Sequence, residues 1–135
     1  MIMQNVNRRK LEQVAYKAAR NAYAPYSKFR VGAAVLTASG KVFTGANVEN
    51  ASYGLSLCAE RAALSSAIAS GESKIAAICV ACIDAHSAMV LEKKTPCGAC
   101  RQWLQELAPN AVIIIAGEKR TFKIEELLPI AFKLS

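Results

Sequence analysis

Nine consecutive residues from Ile75 to Ile83, Ile-Ala-Ala-Ile-Cys-Val-Ala-Cys-Ile, contain no charge, glycine or proline. A strand that is apolar on both of its alternating faces has no side to offer to water. It must lie inside a sheet that is covered above and below. Ala111 to Ala116 is a second run of this kind. Both are far too short to cross a bilayer. Two such strands in one chain require helices on each side of the sheet, and the sequence provides them. Leu11, Val14, Ala15, Ala18, Ala19 and Ala22 recur at intervals of three and four, predicting a helix from about Asn7 to Ala22 that Pro25 stops. An alanine-rich segment from Cys58 to about Ser70, ending before Gly71, predicts a second helix, and Cys97 to about Leu107, halted by Pro109, a third.

The remaining elements are shorter. Val31–Thr37 and Lys41–Ala46 read as strands joined by Ala38-Ser39-Gly40, an antiparallel hairpin. Asn47–Asn50 is a polar loop and Asp84–Lys94 a longer one. Arg120–Lys123 reads as a short edge strand, Ile124–Leu128 as a short helix closed by Pro129, and Ile130–Ser135 as a tail. The order predicts a three-layer α/β/α sandwich around a mixed five-stranded sheet. Residues 1–135 suit one domain, with no repeat or linker.

Composition narrows the function classes. With 53% hydrophobic and 20% charged residues the chain reads as globular, and no segment is a membrane span. Met1–Lys10 lacks the apolar core of a secretory signal, which points to the cytoplasm. Five cysteines are an odd number for a disulfide scaffold and are expected to be reduced. The net charge of +7 is spread along the chain without interleaved aromatics, which argues for a solvated surface and against a nucleic-acid partner.

The chemistry is concentrated in cysteines. Cys97 and Cys100 stand at C-x-x-C spacing, a pattern shared by zinc ribbons and thioredoxin-like redox sites. Cys58, with Glu60 two residues on, supplies a third thiol at another helix start. Three protein ligands leave a corner of a zinc tetrahedron open, the mark of a catalytic rather than a structural site. Helix N-termini favour the thiolate that zinc needs. Glu60, beside the metal without being needed as a ligand, is placed to carry protons; alone it would read as a solvated helix residue. Arg61 and Arg101 each adjoin a ligand and either donate to sulfur, offsetting thiolate charge, or are surface arginines. His86 has no ligand-spaced partner and reads as an exposed loop residue, while Cys79 and Cys82 read as buried structural thiols.

Cys58-Ala59-Glu60 followed by Pro96-Cys97-Gly98-Ala99-Cys100 resembles the zinc deaminase signature. With Ala24–Ala34, Asn47–Tyr53, Cys58–Arg61 and Leu127-Leu128-Pro129, the chain is similar over nearly its whole length to the small homotetrameric cytidine deaminases. The resemblance implies hydrolytic deamination of cytidine and deoxycytidine, in pyrimidine salvage. It implies one Zn²⁺ per chain on Cys58, Cys97 and Cys100, water activated for attack on C4, and Glu60 as proton shuttle. Asn47 and Glu49 match the pair that holds the ribose 3′-hydroxyl, Phe29 the aromatic against the pyrimidine, and Ala59 the backbone that reads the base edge. Tyr53 and Phe132 match residues that reach a neighbouring subunit's site; for these two and for Phe29, core packing is the alternative. Two departures concern the pocket. Asp84–Thr95 is longer and more basic than the family's segment and has no proline before Pro96, and Ile130 stands where glycine often precedes Ala-Phe.

Two other functions compete with this expectation. One is a deaminase or amidohydrolase of modified or N4-substituted cytosine nucleosides, of the blasticidin S type. The other is a zinc-stabilised nucleic-acid-binding module, which requires a closed fourth ligand and a basic face.

Overall fold

The computed structural model describes residues 7–86 and 88–134; the expectation for Met1–Val6, and Ser87 and Ser135 within the predicted loop and tail, lie outside them. The chain begins with α1 (Arg8–Ala19), β1 (Val31–Thr37), β2 (Val42–Ala46), α2 (Ala59–Ala69) and β3 (Ile75–Cys82). They are followed by α3 (Gly98–Leu107), β4 (Val112–Ile115), β5 (Thr121–Phe122) and α4 (Ile124–Leu127), with 3₁₀ turns at Tyr53–Leu55 and Leu91–Lys93. The strand order is β2-β1-β3-β4-β5, antiparallel except for the β3–β4 pair.

The three layers follow from side-chain parity. Ala33 and Val35 of β1, Ile78 and Val80 of β3, and Ile113 and Ile115 of β4 pack against Ala63, Leu64 and Ala67 of α2 and Leu104 of α3. Ala34, Ala77, Cys79, Ala81 and Ile114 turn the other way, toward Leu11 and Ala15 of α1. β3 and β4 are thus covered on both sides, as their uninterrupted apolar runs require.

Two glycines set how closely the helices approach. A Cβ on Gly32 would fall 2.0 Å from the Ala15 carbonyl oxygen, and one on Gly45 would fall 2.5 Å from both the Ala59 oxygen and the Ala63 nitrogen. Only glycine lets backbone lie against backbone at these points. Gly45 therefore fixes the height of the first turn of α2 above the sheet.

α1 ends at Ala19 rather than Ala22. The Asn21 and Ala22 N–H groups reach only the carbonyls three residues back, and Tyr23 turns away to donate to Asn47 O at 2.9 Å. Bridges from Tyr23 to Val48 and from Val48 to Leu57 then fold the 47–57 segment along the chain leaving α1. These interactions, together with the two 3₁₀ turns, have no periodicity in the sequence.

Candidate active site

At the end of the sheet where β3 finishes, the N-termini of α2 and α3 converge. Cys58 is the N-cap of α2 and Cys97 that of α3, and neither side chain caps its own helix. Their sulfurs stay free beside the unpaired N–H groups of a first turn, which stabilise thiolate. The Cys100 sulfur comes from one turn into α3, so that the three sulfurs lie within 4.8 Å of one another. Cys58 Sγ and Cys97 Sγ are 3.6 Å apart. A disulfide needs about 2.05 Å. A tetrahedron with Zn–S bonds of about 2.3 Å has edges of about 3.8 Å, so the trio fits one zinc ion. The group consists of these three residues among the described residues, leaving one corner open.

The thiols hold their protons unequally. Cys58 is pushed down to about 5, first by hydrogen bonding with Cys100 and then by Arg61 and Cys97. Cys100 is pushed up by that same bond and by burial. Arg61 Nη2 donates to Cys58 Sγ at 3.4 Å, while Arg61 Nε is buried without a partner among the described residues. A guanidinium held against sulfur offsets thiolate charge. Arg101 bonds instead to oxygen: Nε to Pro96 O at 2.7 Å, Nη1 to Leu127 O at 2.6 Å and Nη2 to Thr95 Oγ1 at 3.1 Å. It braces the approach to Cys97 against the end of α4.

Glu60, in the first turn of α2, is only 4% exposed and lies beside Cys58, Cys100 and Arg61. Burial is the main cause that pushes its carboxyl up to about 7, with the Cys58 charge adding to it and its own backbone N–H opposing it. A dication on the sulfurs pulls the other way. A carboxyl near neutrality can both take up and release a proton at working pH.

A cavity of about 240 Å³ opens in front of these groups, bounded by Phe29, Val31, Asn47, Glu49, Ala59 and Val80. The Asn47 amide bridges the start of β1: Oδ1 accepts from Val31 N at 2.8 Å and Nδ2 donates to Phe29 O at 2.9 Å. Glu49 Oε1 accepts from the N–H groups of Tyr26 and Ser27, at 3.0 and 3.1 Å. Its Oε2 takes the Ser27 hydroxyl, and these bonds, the hydroxyl first, hold the carboxyl below its usual range. The amide keeps one N–H and the carboxylate keeps lone pairs for a ligand. Ala59 opens α2, where its N–H has no helical partner.

Tyr53 and Phe132 do not reach this cavity. Tyr53 is 75% exposed, stacks edge-on against Tyr26, and lines an adjoining hollow of about 310 Å³ that shares Ser27 and Glu49. Phe132 is 70% exposed. His86 is exposed in its loop.

Ser27, Cys82, Lys93, Lys94 and Thr95 also line the cavity; the sequence points to the Asp84–Thr95 segment at the pocket without singling out the last three, and does not point to Ser27 or Cys82. For Cys82 the signal was parity: it lies two residues beyond Val80, on the face that carries the site, whereas buried Cys79 faces α1. For Lys93 and Lys94 the signal was their closeness to Cys97 in the chain.

Comparison with known proteins places this geometry among relatives. The family model for the cytidine and deoxycytidylate deaminase zinc-binding region matches residues 5–116. The chain is 43% identical over 131 residues to a cytidine deaminase of Halalkalibacterium halodurans, covering 94% of this chain and 95% of that one. A probable cytidine deaminase of Dictyostelium discoideum is 43% identical over 129 residues, covering 92% and 84% of the two chains. The crystal structure of a Burkholderia pseudomallei cytidine deaminase superposes with a TM-score of 0.82 at 47% identity, covering 94% of this chain and all of that one. One from Mycobacterium tuberculosis gives 0.81 at 40%, covering 96% and 99%. A shared family model over most of the length, near-complete alignment above 40% identity and one backbone course around three converging cysteines have a single reading: the chain belongs to the cytidine and deoxycytidylate deaminase family.

Proposed function

We propose that this chain hydrolyses cytidine and 2′-deoxycytidine to uridine and 2′-deoxyuridine, releasing ammonia. The observation that carries the proposal is the buried Glu60 carboxyl beside three metal-spaced sulfurs, at a nucleoside-sized cavity that Glu60, Cys58 and Cys97 line. Cys58, Cys97 and Cys100 hold one zinc ion, which when bound supplies the Lewis acidity that makes water a nucleophile near neutral pH. Glu60 accepts a proton from the attacking water and delivers it to N3 of the base. With the water oxygen added at C4, it takes the second proton from that hydroxyl and passes it to the amine as the C4–N bond breaks, so that one water is consumed and one ammonia leaves. Phe29 packs on the pyrimidine, the backbone at Ala59 reads its edge, and Asn47 with Glu49 holds the ribose 3′-hydroxyl through their remaining bonding capacity. Arg61 moderates the charge of the sulfurs, and Arg101 acts through the Thr95–Pro96 backbone.

Tyr53 and Phe132, heavily exposed in a single chain, complete the sites of neighbouring subunits in a homotetramer. Residues 1–135 act as one catalytic unit. The free cysteines suit a reducing cytoplasm, and no helix among the described residues is long and apolar enough to cross a membrane.

The decisive experiment is ultraviolet monitoring of cytidine, deoxycytidine, cytosine and N4-methylcytidine with the wild-type and Glu60→Gln proteins. The amide keeps the shape and hydrogen bonds of the carboxyl but carries no proton. Turnover of the two unmodified nucleosides is expected to fall at least ~100-fold. Near-wild-type turnover by the variant removes Glu60 from the chemistry, and turnover of N4-methylcytidine alone moves the substrate class.

A further inference from the structure

Lys93, Lys94 and Thr95, at the end of the loop that Asp84 begins, form one wall of the cavity. The loop is secured at both ends. At its start, Asp84 takes a forked pair from Arg30, with Nε to Oδ2 at 3.0 Å and Nη2 to Oδ1 at 2.7 Å, and accepts Arg30 N at 2.8 Å as well. At its end, Lys94 passes from the cavity wall, with only 10% of its side chain exposed, to an ion pair with Glu118 beyond β4. Glu118 lies outside the cavity lining. The turn that holds it is tied to α1, since Arg8 donates to the Glu118 carbonyl and Gly117 N donates to Glu12 Oε2 at 3.2 Å. Around Lys94 the backbone is a 3₁₀ turn, with Lys94 N on Leu91 O at 2.9 Å and Thr95 N on the same oxygen at 3.2 Å. Thr95 Oγ1 then meets Arg101, two residues before Cys97.

We infer that Lys94 and Glu118 are a pair of positioning residues: their ion pair holds the last turn before the Cys97-x-x-Cys100 ligands as a fixed wall of the nucleoside cavity, rather than a closing lid. The argument is one of cost. A lysine that is almost covered gives up hydration and side-chain freedom, and only a partner that remains in place offsets that loss. Glu118 is such a partner, because its turn is anchored to the opposite layer of the sandwich by α1. Without the pair, the Lys94 ammonium would leave for solvent and draw its stem out of the wall. Lys93, exposed and in no ion pair among the described residues, does not hold the wall in this way.

The inference rests on the deaminase reading for its kinetic arm but not for its structural one. Lys94→Met, Glu118→Gln and the double variant are compared with wild type for cytidine KM and kcat, zinc content and hydrogen exchange at the amides of Lys93, Lys94 and Thr95. Each single variant is expected to raise KM about 10-fold with kcat within about 3-fold, the scale on which small misplacements of a binding wall act. The double variant is expected to match either single one, because both remove the same contact. Zinc stays at one per chain, exchange at the three amides quickens in all three variants, and Lys94→Arg with Glu118 intact restores KM. An unchanged KM in Glu118→Gln, or effects that add in the double variant, overturns the pairing. Unchanged exchange overturns the fixed wall even if the protein proves to have another substrate. If the wild type leaves cytidine untouched while exchange responds as expected, only the deaminase reading fails.

Discussion

Cys97 does two jobs that conflict in most helices: it stands at an N-cap, where a side chain normally accepts a backbone N–H, yet its sulfur makes no such bond. The uncapped first turn is left to act on the sulfur. Cys97→Ala is therefore expected to lose most of the bound zinc while α3 still forms, because its helix gives up no capping bond. Metal analysis beside circular dichroism checks this, and full zinc occupancy in a folded variant would sink the ligand assignment. Asp84 shows a residue-scale effect of another kind. Its hydrogen bonds and ion pair with Arg30 hold the carboxyl at about 2, below the ordinary 3.8. The pair thus adds stability that is fully present above about pH 4 and is lost as pH falls toward 2. Asp84→Asn is expected to melt earlier than wild type at neutral pH, and the gap should narrow as pH is lowered from 4 to 2. A gap independent of pH would mean that the contribution of Asp84 is steric. Each side chain is partly solvated, so the effect at neutral pH is modest.

At the scale of elements, the close approach of α2 to β2 decides where Cys58 and Glu60 stand. Gly45→Ala places a methyl 2.5 Å from two backbone atoms of α2, which cannot swing aside as a side chain would. The cost is expected to be about 1–3 kcal/mol, a fall in Tm of about 3–5 °C per kcal/mol for a chain of this size. Zinc content and turnover should fall with it as the first turn of α2 is displaced. Gly54→Ala, where a Cβ meets nothing within 4 Å, is the control and should melt within about 2 °C of wild type. Thermal melts that do not distinguish the two would refute the close-packing argument. These elements were legible in the sequence because each is written in its own residues: the double-faced runs of β3 and β4, the alanine period of α1, the proline and glycine stops. The metal ligands were legible because two of them share one helix turn and the third has its carboxylate two residues away. What stayed hidden joins distant residues, such as Arg30 with Asp84, Lys94 with Glu118, or the Asn47 amide with the backbone of Phe29 and Val31. No local periodicity encodes such pairs, because the sheet register creates them. Arg101 illustrates the limit: its place beside Cys100 left sulfur donation and a surface position both open, and its reach carried it to three oxygens instead.

At the scale of the whole molecule, the single chain leaves much apolar surface in water. Tyr53, Leu55, Ile130, Phe132 and Leu134 are each at least 70% exposed, and Ile130 holds a φ of 52°, a left-handed conformation that is costly for a β-branched residue. Strain and exposed apolar surface together are what an assembly interface can offset. Sedimentation is expected to show four times the 14.4 kDa of one chain. Complementation tests whether the sites are shared. If Phe132 serves a neighbour's site as proposed, a Phe132→Ala chain keeps Glu60 and the three cysteines but deprives that neighbour of an aromatic contact, with an expected loss of about 10-fold in kcat/KM. A Glu60→Gln chain cannot transfer protons yet still offers Phe132. Mixed oligomers, formed by refolding the two together, contain sites with Glu60 from one chain and Phe132 from the next. Their turnover of cytidine is expected to exceed the sum of the two separate variants several-fold. If Phe132 serves only its own chain's packing, every mixed site lacks one or the other property and the mixture shows no gain. A fully active monomer would likewise remove Tyr53 and Phe132 from the neighbour's site.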